Sequence, residues 1–232
     1  MRISIVLLAL FILCNAASAQ VKIGIEAGPD ISRILNAGYS YTGNFEIAPY
    51  DTRGRTGVAG GVFADIPIQD LFIFRPKILY TMGGGEQPAA FDFNGNLVNP
   101  ETKITMNYIN VPLQVLYSPT LAFGRPWVGL GFYTSMMFGG TLKSSQGSRS
   151  LNLGGSSDDD FERWDFGFNP TVGLTLKSGI MFGVDYQVGM VHISTPPAGG
   201  YGPRANTRNS IWSFHIGYEW KLKTKAAPDE QP

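Results

Sequence analysis

The chain has one cysteine, Cys14, and two histidines, His192 and His215, in 232 residues. That scarcity excludes a disulfide framework and a cysteine-built metal centre. Charge is scarce too: 16% of residues are Asp, Glu, Lys or Arg, and the formal net charge is zero. A soluble domain of ordinary composition carries about a quarter charged residues, and a nucleic-acid binder would show a basic excess. Past the first 20 residues no apolar run approaches the roughly 20 residues of a spanning helix. The best one, Pro126 to Phe138, is short, carries Gly129 and Gly131 and reads better as a strand. Disorder is excluded by the 12% aromatic content.

The N-terminus reads as an export signal. Met1-Arg2 is a positive start, Ile3 to Cys14 is an almost unbroken apolar run, and Ala17-Ser18-Ala19 fits the small-x-small cleavage rule, so residues 1–19 are expected to be removed and Gln20 to begin the mature chain. Cleavage there would leave no cysteine. Lipidation at Cys14 is the alternative, disfavoured because the large Leu13 precedes it. Residues 20–223 are expected to form one domain, and 224–232, rich in proline and charge, a disordered tail.

What is abundant is alternation with period two. Val21, Ile23, Ile25 and Ala27 oppose Lys22, Gly24, Glu26 and Gly28, and Val58, Val62, Ala64, Ile66 and Ile68 oppose Gly61, Phe63 and Asp65. Phe72, Phe74, Pro76, Ile78 and Tyr80 oppose Arg75 and Lys77, while Ile109, Val111, Leu113 and Val115 oppose Tyr108, Asn110 and Gln114. Four further runs follow, centred on Val128 to Phe138, Asp165 to Leu176, Ile180 to Met190 and Trp212 to Leu222. Most reach the roughly 9–11 residues a tilted strand needs to cross a bilayer.

A soluble sandwich would also alternate, but its second face would be rich in Lys, Glu and Thr. Here the second face is crowded with glycine and a few charges, which suits the narrow interior of a closed eight-stranded sheet. Short connections near Ile68-Gln69-Asp70, Ser118 to Gly124 and Lys177-Ser178-Gly179 alternate with long ones, Ser32 to Arg55, Gly83 to Lys103, Gly139 to Glu162 and Ser194 to Asn209. The expected fold is all-β: an eight-stranded antiparallel up-and-down transmembrane β-barrel with short periplasmic turns and long extracellular loops. Asn94-Gly95 predicts a type I′ turn that extends the third and fourth strands as a hairpin. Tyr80, Trp127, Trp164, Trp212, Tyr218 and Trp220 are expected in interfacial girdles, and Gly217, Trp220 and Leu222 match the spacing of a C-terminal insertion signal.

Gly60-Gly61-Val62-Phe63-Ala64-Asp65-Ile66-Pro67, Arg75-Pro76-Lys77-Ile78-Leu79-Tyr80, Asn107-Tyr108-Ile109-Asn110-Val111-Pro112-Leu113 and Asp185-Tyr186-Gln187-Val188-Gly189 resemble successive strands of the PorT-like outer-membrane β-barrel family. The resemblance spans nearly the whole mature chain. It implies an eight-stranded barrel in the outer membrane of a Gram-negative bacterium. The family's namesake takes part in protein secretion, and most members look like barrels of unassigned role. Lys77 and Asn110 stand where the family often has acidic residues.

No catalytic constellation, cofactor motif or metal set stands out. Ser213, His215 and Asp185 bring the residue types of a hydrolase triad, but Ser213 and His215 lie two apart on one strand, about 7 Å between Cα atoms, and no nucleophile elbow accompanies them. His215 reads instead as a hydrogen-bonded lumenal side chain. Asp158-Asp159-Asp160 lacks the alternate spacing and glycine turn of a calcium loop and reads as a solvated loop tip. Arg204 and Arg208 are candidates to meet lipid phosphates. Gly83-Gly84-Gly85 lacks the Lys-Ser/Thr pair of a phosphate cradle.

Parity assigns Glu26, Asp65, Arg75, Lys77, Asn110, Gln114, Asp165, Asp185, His215 and Glu219 to a lumenal polar core. Tyr39, Tyr41, Phe45, Tyr50, Phe91 and Phe93, in the long connections, are candidate contacts for a protein partner. The expected partners are outer-membrane lipid, the barrel-insertion machinery and a protein bound through those loops, with no nucleic acid and no cofactor. Two function classes follow: a non-enzymatic structural or partner-binding barrel associated with secretion or envelope assembly, and a rim enzyme acting on lipid or peptide through His192. A diffusion pore is disfavoured because an eight-stranded interior is filled by its own side chains.

Overall fold

The computed structural model describes residues 21–36, 38–41, 47–91, 94–156, 158–195 and 207–221. The expected signal peptide with Cys14, Phe45, Phe93, Arg204, Leu222 and the tail lie outside them.

Eight antiparallel strands follow one another around a ring: β1 (Lys22–Leu35), β2 (Arg55–Gln69), β3 (Phe72–Gln87), β4 (Thr102–Tyr117), β5 (Gly124–Ser144), β6 in two segments (Trp164–Phe168 and Thr171–Leu176), β7 (Ile180–Gly189) and β8 (Arg208–Lys221). Each pairs with its chain neighbours, and β1 closes the ring on β8 from Lys22↔Lys221 to Leu35↔Arg208. Closure leaves every spanning strand paired on both sides, which hydrocarbon demands because it offers backbone groups no water.

Side chains sort by parity. Ile25, Val62, Ile78, Leu113, Leu130, Val172 and Ile216 are each about half exposed on the outer surface, while Glu26, Asp65, Arg75, Lys77, Gln114 and Asp185 are buried inside. A water-soluble protein does not present such a continuous apolar exterior; a transmembrane barrel does. Aromatic pairs cluster toward both ends: Phe72 with Tyr117 and Tyr218 with Trp220 at the short-turn end, Tyr80 with Phe138 and Tyr186 with Trp212 toward the other.

Several boundaries differ from expectation. β1 continues past Gly28 to Leu35, with Asp30, Ser32 and Ile34 facing inward, so the first long connection begins at 36. β3 runs to Gln87, placing Gly83-Gly84-Gly85 in a strand paired with Met106, Thr105 and Ile104. β5 extends to Ser144, so the wall made by β3, β4 and β5 rises well beyond the membrane. Its 21 residues span about 70 Å of contour at roughly 3.3 Å per residue. β6 is interrupted at Asn169-Pro170, where proline has no N–H to give the ladder; Asn169 and Gly131 still exchange backbone hydrogen bonds across to β5. Ala90–Phe91 pairs with Leu97–Asn99 around Gly95, whose φ of 81° supplies the left-handed turn.

Trp127 is the exception among the expected girdle residues. It is buried inside the barrel, because it shares the parity of Gly129, Gly131 and Tyr133 on β5. Gly173 opposite makes the room: a Cβ there would overlap the indole.

Candidate functional site: the filled lumen

From the periplasmic end upward, the lumen is a stack of tied layers. At the mouth, Glu219 accepts from Lys22 at 2.7 Å and from Arg125 at 3.0 and 3.1 Å. Above it, Arg75 forks onto both oxygens of Asp65 at 2.5 and 2.8 Å. Its guanidinium lies 4.9 Å from the Phe63 ring centroid and 4.5 Å from that of Trp127. A planar cation between two aromatic faces is held by ring quadrupoles as well as by its carboxylate.

At mid-barrel the Lys77 ammonium donates to Glu26 and Asp185, both at 2.8 Å, with all three side chains inaccessible to solvent or nearly so. Gln114 donates to the other Asp185 oxygen at 3.1 Å and to Asn169 at 2.6 Å. The His215 ring lies 3.6 Å from Glu26 and 3.7 Å from Asp185, beyond hydrogen-bond distance, so it is a contact of this cluster and not the hydrogen-bonded histidine expected. Ser135 donates to Asn110 at 3.0 Å. Nearer the outside, Asp165 accepts from Tyr133 at 3.0 Å and Asn209 at 2.9 Å, and Asn209 donates also to Tyr108 at 2.9 Å.

The outer mouth is closed by an apolar layer of Ile34, Ile104, Met106, Tyr108, Met137, Leu151 and Ile193, with Leu142, Leu153 and Phe161 packed on it. Leu151, Leu153 and Phe161 belong to the β5–β6 connection, which folds over the barrel rather than away from it. The acidic run makes that fold. Asp160 takes a fork from Arg149 at 2.7 Å on both arms and the Asn152 amide at 2.8 Å, while Asp159 accepts from the Ser156 amide at 2.9 Å and its hydroxyl at 2.7 Å. These donors hold both carboxyls below the usual carboxylate range. Only Asp158 matches the solvated tip expected of all three.

All ten residues assigned to the lumenal core by parity are buried. Glu26, Lys77, Asp185, Gln114 and His215 come together at mid-barrel, Asp65, Arg75 and Glu219 gather nearer the periplasm, and Asn110 and Asp165 lie apart from both groups. Asp30, Arg125, Asn209 and Trp127 were missed; continuing the alternation two residues past Gly28, or starting β5 one residue before Pro126, finds the first two. Ser213 lies beside Asp185 in register, but the His215 ring is within hydrogen-bond distance of neither Asp185 nor Glu26, and no hydrogen-bonded relay from serine through histidine to aspartate forms among the described residues. Glu26, Asp185 and His215 offer ligand atoms within 4.8 Å of one another. The Lys77 ammonium occupies the position a cation would take between the two carboxylates, so the set is a cage for an amine.

Residues 15–194 match the family described as outer membrane protein beta-barrel domain. The chain belongs to this family. No curated relative matches it. Among solved structures, this outer-membrane barrel resembles Ail, the attachment invasion locus protein of Yersinia pestis solved with sucrose octasulfate, at 11% identity over 87% of this chain and 99% of that one, with a TM-score of 0.40. It also resembles Neisserial surface protein A at 10% identity over 84% and 96%, TM-score 0.44, and OprG from Pseudomonas aeruginosa at 12% identity over 88% and 98%, TM-score 0.43.

Outside the lumen, His192 is exposed in an outer-rim groove shared with Glu162, Thr134 and Trp164. Arg208 begins β8 opposite Leu35 instead of standing in a loop. Phe45 and Phe93 lie outside the described residues, as do the side chains of Tyr39, Tyr41, Tyr50 and Phe91. The backbones of these four belong to short hairpins, Gly38–Tyr41 with Ile47–Tyr50 and Ala90–Phe91 with Leu97–Asn99.

Proposed function

We propose that this outer-membrane barrel is a non-enzymatic, non-conducting platform that binds a protein partner through its extracellular connections, in secretion or envelope assembly. The observation that carries this is the double seal of the lumen: buried ion pairs at and below mid-barrel under an apolar layer, mostly of strand residues, to which the β5–β6 connection adds Leu151, Leu153 and Phe161. With its centre filled by the described residues, the barrel in this reading works with its outer surfaces. The tall β3–β4–β5 wall carries the Asn94-Gly95 hairpin away from the membrane, a position suited to contact. The resemblance to PorT-like barrels supports the secretion context. Export begins in this reading with removal of residues 1–19, so the mass of the membrane-derived protein should correspond to a chain starting at Gln20.

The test joins conductance with capture. Reconstituted in planar bilayers, the protein should pass no steady ionic current. Isolated from its own membranes in mild detergent, it should retain a protein that is lost when residues 90–99 are replaced by a short Gly-Ser turn. Steady conductance, or capture that survives loss of the hairpins around both 38–50 and 90–99, would overturn the proposal. Hydrolysis of lipid or peptide that disappears in His192→Ala would favour the rim-enzyme alternative, for which the grouping of His192 with Glu162 and Thr134 is the supporting observation.

A further inference from the structure

The periplasmic mouth has more cations than its own carboxylates use. A cavity of about 370 Å³ opens there, lined by Lys22, Arg125, Lys177 and Lys221, with Glu219 as its acid. Glu219 is shared between Lys22 and Arg125, and Lys177 and Lys221 make no ion pair among the described residues. Lys22 and Lys221 stand directly opposite in the β1–β8 ladder, an arrangement of like charges that destabilises a strand pair unless an anion lies between them. A second feature points the same way. Thr175 is a buried residue in the wall of this cavity, and its hydroxyl has no hydrogen-bond partner among the described residues. It is a neutral donor beside a cluster of cations, the combination that receives a phosphate oxygen.

The cavity's other wall identifies the source of the phosphate. Tyr218 and Trp220, stacked at 5.9 Å and exposed on the outer surface of β8, also line it. Aromatics of this kind mark the depth at which headgroups begin. The cations therefore face the headgroup layer of the periplasmic leaflet, with an apolar surface beside them for acyl chains. We propose that this mouth is a binding site for the phosphate of an anionic phospholipid from the periplasmic leaflet. Lys177 and Lys221 supply the unspent charge and Thr175 a hydroxyl donor.

The test titrates lipid into the full mature protein folded in detergent micelles, with bound lipid counted by intact-complex mass measurement. Phosphatidylglycerol should fill one saturable site at least about tenfold more tightly than phosphatidylcholine. A cation near an anionic surface is worth about 1 kcal/mol, roughly fivefold in affinity. Lys177→Gln with Lys221→Gln should therefore weaken phosphatidylglycerol about 30-fold, and Thr175→Val should weaken it less. Lys143→Gln, at the extracellular end of β5, should leave it unchanged. A heat-dependent shift in gel mobility identifies the folded variants, and the exposed lysine positions are chosen so that folding survives. Equal binding of the two lipids, or undiminished phosphatidylglycerol binding in the folded double variant, overturns the proposal. Displacement of the lipid by inorganic phosphate at comparable concentration would make this a site for free phosphate and overturn the lipid assignment.

Discussion

Replacing Lys77 by methionine keeps the length of the side chain and removes the one cation that touches both Glu26 and Asp185. Each contact is 2.8 Å. At an effective dielectric constant of about 20, each such contact is worth about 6 kcal/mol of gross attraction, most of it offset by the several kcal/mol needed to strip each ion of water. What a single substitution measures is the stranded remainder, two buried carboxylates with no cation between them, which costs about 3–5 kcal/mol. Asp185→Asn leaves Lys77 with Glu26 and should cost less, about 2 kcal/mol. Placed on top of Lys77→Met, the same change should recover stability, because it removes one of the stranded charges. Such non-additivity is expected of groups in contact. Urea titration of the protein folded into lipid vesicles, followed by tryptophan fluorescence and gel mobility, gives all three values. If Lys77→Met lies within about 0.5 kcal/mol of the parent, or the two changes simply add, the mid-barrel is wet and the sealed-lumen argument fails.

On the opposite face, Leu130→Arg puts a charge into hydrocarbon and should destabilise by about 2–4 kcal/mol in the same titration; a neutral result would exchange inside for outside. Because hydrogen bonds close around the whole ring, unboiled protein should migrate differently from boiled protein and give a β-dominated circular dichroism spectrum, and a strong helical signal would contradict the fold. The β5–β6 connection should depend on acid pH. Arg149 holds the Asp160 carboxyl below its usual range, so the contribution is fully present above the unfolded value of about 3.9 and fades as pH falls toward the depressed folded value. Limited proteolysis of that connection should accelerate over this acid window in the parent, and Arg149→Met should be cut readily already at neutral pH.

Which side chains turn inward was legible from period-two parity, down to Arg75 and Lys77 on one strand and Asp185 on another. Parity is local and survives any error in register. Partnership was not legible. That Lys77 meets Glu26 on β1 and Asp185 on β7 depends on how far the strands are staggered around the ring, which no single run of residues encodes. Parity also outweighed type: Trp127 has the amphipathic ring that favours an interface, yet its place between Pro126 and Val128 turns it inward, where Gly173 leaves space. Strand ends were the weakest point, since Pro29 and the three glycines at 83–85 look like punctuation. Their neighbours on β2 and β4 keep them paired nonetheless. The inward fold of the β5–β6 connection rests on Arg149 and Asp160, eleven positions apart, and nothing in their spacing announces it.

The pairing of β1 with β8 sets an order on assembly. Lys22 and Glu219, 197 positions apart, belong to neighbouring strands at the seam, so the ring cannot shut before the last strand has been delivered. Until then the first strand keeps a bare edge, and its lipid-facing row of Ile25 and Ile31 has no finished wall to belong to. Pairing over such a span is slow because loop closure must come before any reward. A chain in this condition is prone to stick to others like it. Its safe passage is therefore a race between delivery of the C-terminal strand and aggregation, and changes confined to the seam should alter the yield of inserted barrel more than the stability of barrels already formed.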